Sequence, residues 1–114
     1  MDAEHLMLKA RYVEAGCTVA RFEGRLDAIT AAGAETELSA MVAEGPVVAD
    51  MEQVRYISSA GLRVLLKAAK LAKEKGFRFA VSGLQPAVRE VFETAGFDRL
   101  IPTFASAAEA AAAG

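Results

Sequence analysis

Arg55-Tyr56-Ile57-Ser58-Ser59-Ala60-Gly61-Leu62-Arg63-Val64 carries a short apolar strand and its loop into the best amphipathic helix of the chain. Beyond it, Leu62, Leu65, Leu66, Ala69 and Ala72 fall on one stripe, while Arg63, Lys67, Lys70 and Glu74 line the other side, the pattern of a helix laid on a core. Gly76 closes that helix. A helix start leaves backbone N–H groups unpaired and carries partial positive charge, so a hydroxyl there can cap the helix and a phosphate is tolerated there. Ser59 reads in the first instance as the N-cap.

Working outward, Val47-Val48-Ala49-Asp50-Met51 after Gly45-Pro46 is a short apolar run that predicts a strand covered on both faces. Ala31, Ala34, Leu38 and Met41 recur at helical spacing, in a helix that Asp27 or Thr30 can cap. Leu6, Leu8, Ala10 and Tyr12 alternate with Met7, Lys9 and Arg11, and Glu14-Ala15-Gly16 is so short a turn that the next strand, Cys17 to Glu23, predicts an antiparallel hairpin. Downstream, Phe77, Phe79 and Val81 predict a strand that Gly83 breaks. Pro86 opens a helix whose stripe is Val88, Val91, Phe92 and Ala95, ended by Gly96. Leu100 to Phe104 predicts an edge strand that tolerates Pro102. Ser106-Ala107-Ala108-Glu109 has the spacing of a capping box at the head of an alanine-rich tail expected to be a frayed helix. The order predicts an α/β fold: a mixed, mostly parallel sheet with an N-terminal antiparallel hairpin and about four helices.

With 114 residues the chain is expected to form one domain, 1–114, with the tail over about 106–114. A chain of this size buries roughly 65% of its unfolded surface and needs no staples. The net charge of −2, with basic residues dispersed, argues against a nucleic-acid surface. Lys67, Lys70, Lys73 and Lys75, interrupted by Glu74, read as a solvated helix face. The single cysteine, Cys17, excludes an intramolecular disulfide and reads as packing at a strand start, and no secretory signal pattern is present, so a cytoplasmic protein is expected. No run of 18 apolar residues predicts a membrane span. Phosphate-loop and dinucleotide glycine motifs are missing and the one histidine, His5, sits in a terminus expected to fray, so the chain reads as neither an enzyme nor a metal or cofactor binder.

The segment Tyr56 to Leu66 resembles the signature of the bacterial anti-sigma factor antagonists, the STAS domain family, in which a strand leads through a loop to an Asp-Ser-Ser/Thr-Gly-Leu pattern at a helix start. Position by position, Ser59 takes the phosphoacceptor place, Ala60 the second hydroxyl place, and Gly61-Leu62 the end of the motif. The family's Asp is Ser58 here, which makes Ser58 the second choice of acceptor. Gly24-Arg25-Leu26-Asp27 resembles the family's Gly-x-Leu-Asp, Asp50 its strand-end carboxylate, and Leu84 to Gly96 its Pro-x-Val helix with a terminating glycine.

The resemblance covers nearly the whole chain. It implies a STAS-like fold and a partner-switching protein that binds an anti-sigma factor with serine kinase activity. Phosphorylation of Ser59 releases it and a serine phosphatase resets it. Asp27, Asp50, Ser58, Ser59, Ala60, Gly61, Leu62 and Arg63 are the implied partner-binding residues, with Asp27 and Asp50 expected beside the serine at strand ends. Gly61, lacking Cβ, is read as letting a partner backbone come close. A monomer or weak dimer is expected. The alternative is a non-switching cytoplasmic STAS subunit of a lipid-transport ATPase assembly.

Overall fold

The computed structural model describes residues 6–113, so His5 lies outside the described residues. Its elements run β1 (Met7–Glu14), β2 (Cys17–Leu26), α1 (Ala31–Val42), β3 (Val47–Ile57), α2 (Ser59–Lys75), β4 (Phe79–Ser82), α3 (Pro86–Thr94), a 3-10 turn at Phe97–Arg99, β5 (Thr103–Phe104) and α4 (Ala107–Ala112). They build a five-stranded sheet in the order β1-β2-β3-β4-β5, with β1 antiparallel to β2 and every other pairing parallel. The predicted mixed α/β architecture, hairpin and element order are all present.

Alternation along the central strands sorts the core into two layers. Val47, Ala49 and Val81 point to one face, where α1, α2 and α3 supply Leu38, Leu65 and Phe92. Val48 and Ala80 point to the other, where Cys17 and Val19 meet Ala110 and Ala111 of α4. The alanine-rich tail is therefore a docked helix and not a frayed one. The Ser106 hydroxyl accepts from the Glu109 amide at 3.1 Å, and the Arg78 guanidinium donates to the Ala110 carbonyl at 2.8 Å. Small side chains on both partners let this short helix lie close to the sheet. Cys17 is buried beneath it, with the Arg78 Nη1 at 3.5 Å from its sulfur.

Several boundaries depart from the sequence reading for identifiable reasons. The third strand runs on from Met51 to Ile57, because two register shifts against β2 replace simple alternation with buried Val54 and Ile57, each preceded by a pair of exposed residues. Gly24, at φ 119°, occupies one of those shifts. On α2 the buried stripe is Leu62, Val64, Leu65, Ala68 and Ala72, so Leu66 and Ala69 sit at its margin, half exposed. On α3 only Val88 and Phe92 are buried, leaving Val91 and Ala95 outside. The last strand shrinks to Thr103–Phe104, and Leu100, at 59% exposure, lies before it at the end of the 3-10 turn. The outer edge of β1 carries Lys9 and Arg11 and a bulge between Leu8 and Ala10, features that discourage edge-to-edge pairing.

Candidate functional site

The carboxyl ends of β2 and β3 and the start of α2 are stitched together by one bond, from the Ser58 amide to the Leu26 carbonyl at 3.0 Å. Ser58 is extended, at φ −103° and ψ 178°, and its hydroxyl accepts from the Gly61 amide at 3.2 Å. It is therefore Ser58, not Ser59, that caps α2, since the chain turns helical one residue after it. A capping oxygen is what an aspartate would also supply at this position, so Ser58 keeps the cap and removes one negative charge from beside Ser59. Ser59 is the first helical residue, is exposed, and its hydroxyl forms no hydrogen bond among the described residues. We expect Ser58→Ala to lower stability by about 1 kcal/mol, read by denaturant unfolding, while leaving Ser59 accessible.

Gly61 faces the chain itself. A Cβ there would come within 2.5 Å of the Leu26 carbonyl oxygen and 2.9 Å of Ile57 Cγ1. The glycine thus seats the helix on the strand ends and makes no room for a partner backbone. Leu62 is likewise core, at 6% exposure. Of the predicted set, Ser59 and Arg63 point outward, Ser58, Ala60 and Asp27 are half-buried, and Gly61 and Leu62 hold the arrangement from within.

Asp27 belongs to this junction and Asp50 does not. One Asp27 carboxylate oxygen accepts the amides of Ile29 and Thr30 at 3.0 and 3.1 Å, and the other meets Arg25 Nε at 3.5 Å. The Thr30 amide, then Ile29 and Arg25, hold its carboxyl below the usual carboxylate range. Neither Asp27 nor Thr30 places a side-chain oxygen on an amide within α1. The Thr30 hydroxyl instead donates back to the Arg25 carbonyl at 2.9 Å, which makes the loop rigid. Asp50 lies in the first half of β3, where it is buried and paired with Arg21 at 3.2 Å, and its other oxygen accepts the Glu52 amide. Ile57 is seven positions further along the strand, roughly 23 Å of extended chain, so Asp50 is a structural carboxylate remote from Ser59.

Two features of the same rim escaped the sequence reading. Ile29 is 84% exposed on the loop that Asp27 braces. Tyr56, half exposed, lies under the Arg25 guanidinium at 4.1 Å from its ring centre. An apolar residue one step from a turn-forming Asp-Ala pair was the available signal for Ile29. The Arg25–Tyr56 contact depends on strand register, which the sequence does not print. Chemically the rim offers an unengaged hydroxyl on a positive helix end, with no acidic residue in the helix's first turn, and carries no group that activates it. Among the described residues no cluster of three metal-ligating side chains forms, and no helix is long and apolar enough to cross a membrane.

Comparisons with known proteins identify the family and the fold. The sequence profile of the STAS domain family matches residues 9–110. BtrV of Bordetella bronchiseptica, named as a candidate anti-sigma factor antagonist, is 42% identical over 100 residues, 86% of this chain and 85% of its own. The crystal structure of an anti-sigma factor antagonist from Mycobacterium paratuberculosis superposes with a TM-score of 0.84 at 25% identity, covering 95% of this chain and 92% of that one. The Bacillus cell fate determinant SpoIIAA in its phosphorylated form shares the fold, with a TM-score of 0.65 at 20% identity over 89% of this chain and 96% of its own.

Proposed function

The chain belongs to the STAS domain family, and from that premise we propose that it is an anti-sigma factor antagonist working by partner switching. Unmodified, it binds an anti-sigma factor that is also a serine kinase. Phosphorylated on Ser59, it leaves that partner, and a serine phosphatase restores it. The chain is substrate and ligand, holds no nucleotide of its own, and acts in the cytoplasm. The 42% identity to BtrV supports the assignment, and the division of labour between the two serines carries it. Because Ser58 occupies the cap, the Ser59 hydroxyl is exposed and unengaged at the head of α2.

A phosphate there adds about −1.5 to −2 charge, and its interaction with the helix N-terminus is favourable by roughly 0.3 to 2 kcal/mol. The fold therefore tolerates the modification. In a packed interface the same group must be desolvated, and losing a buried polar contact commonly costs about 2 to 5 kcal/mol of affinity. At about 1.4 kcal/mol per tenfold, that suffices for release. Asp27 and the rigid loop it braces form the neighbouring wall of the contact surface.

The test is retention of the kinase on immobilised protein. The parent protein is expected to hold the kinase without ATP and shed it when ATP is added, whereas Ser59→Ala holds it throughout. Capture of a transport ATPase subunit, with no phosphate gained from ATP and lysate, would instead establish the non-switching reading.

A further inference from the structure

The displaced apolar stripe of α2 leaves an outward face that the switch reading does not use. Ser59, Arg63, Leu66, Lys70 and Lys73 are spaced four, three, four and three apart, so they share one side of the helix over roughly 21 Å. Midway along it, Leu66 and Ala69 face the exposed Leu100 across a cleft of about 180 Å³ that Lys70 and Lys73 rim. Among the described residues no carboxylate pairs with Arg63, Lys70 or Lys73. Lys67, on the flank toward α1, is by contrast engaged by Glu35 at 3.3 Å. Glu74, four residues beyond Lys70, borders the face on that side and pairs with none of the three among the described residues. The face thus presents three cations, unpaired among the described residues, about an apolar slot, on a protein whose net charge is −2.

We propose that this face is a docking surface for an acidic segment of the kinase that inserts one large apolar side chain between Leu66 and Leu100. The proposal rests on the switch reading, since the cation-rimmed face continues directly from Ser59. Charge complementarity selects the occupant: cations without carboxylate partners among the described residues are desolvated least expensively against carboxylates, and the slot gives the segment its register. Arg63, one turn from Ser59, links the two regions. A phosphate on Ser59 is within its i,i+4 reach and competes with the partner's carboxylate for the guanidinium. Modification then weakens the docking face as well as the contact at the serine itself.

The experiment uses the kinase purified from the source organism by following phosphate transfer to the full chain. Lys70→Glu/Lys73→Glu, both exposed positions, is compared with Lys75→Glu, an exposed lysine on the far side of the helix. The double variant is expected to melt as the parent does and to raise KM at least tenfold with kcat unchanged, the signature of lost uniform binding. The difference should shrink as salt rises, and Lys75→Glu should stay within threefold of the parent. Equal KM for the double variant and the parent, with Ser59 still phosphorylated, would overturn the docking face and leave the switch standing. No phosphate transfer to Ser59 of the parent protein would overturn the switch, and the docking face with it.

Discussion

Ser59→Asp is expected to weaken the kinase complex by roughly thirtyfold to a few thousandfold while leaving the unfolding transition where it was, the loss that 2 to 5 kcal/mol of interface energy represents. The asymmetry follows from where Ser59 sits. Its hydroxyl is exposed and makes no hydrogen bond among the described residues, so the fold loses nothing with it. A carboxylate in the first turn of a helix is mildly stabilising. In the proposed complex the same charge would be buried against a surface that accepts a neutral serine. Aspartate brings less charge than a phosphate and fewer acceptor oxygens, so the phosphorylated protein should bind more weakly still. Calorimetry with the purified kinase, paired with thermal melting of the free variant, reads both quantities. A complex as tight as the parent's would show that Ser59 is not at the contact.

Gly61→Ala should differ in lowering stability, by about 1 to 3 kcal/mol, as well as affinity. The added methyl would lie 2.5 Å from a backbone carbonyl and 2.8 Å from Leu26 Cγ, and a carbonyl on a strand end cannot rotate aside as a flexible side chain can. The first turn of α2 must lift from Leu26, which strains the bond from Ser58 to that carbonyl and moves Ser59. Denaturant unfolding checks the first effect and kinase binding the second. A variant as stable as the parent would mean that the helix start is held more loosely than its packing implies.

These contrasts show which parts of the molecule its sequence makes legible. The apolar–polar alternation of the sequence from Leu8 to Tyr12 with the short turn after it, and the glycines Gly76 and Gly96, each obey a local rule, so the hairpin and the helix ends can be read directly. The second half of β3 cannot, because bulges opposite Arg21 to Arg25 disrupt the period on which strand reading depends. The docking of α4 also escapes a local reading. Six residues, five of them alanine, carry no amphipathic signature, and their burial is decided by small residues on distant strands.

The candidate site divides the same way. A serine at a helix start is visible, but which of two adjacent serines caps depends on where the backbone turns helical, and only the geometry separates Ser58 from Ser59. Asp50 shows the cost of placing a carboxylate by strand boundary alone: with the strand six residues longer than its apolar run, from Val47 to Ile57, the residue moves from the rim to the middle of the sheet. Asp27 stays at the rim because Leu26, its neighbour, is the residue to which Ser58 is bonded.

The most direct test of the central claim is site mapping by mass spectrometry after incubating the protein with ATP and its kinase. One phosphate on the Ser59 hydroxyl, absent from Ser59→Ala and retained in Ser58→Ala, is the predicted result. Phosphate on Ser58, or none on either serine, would contradict it.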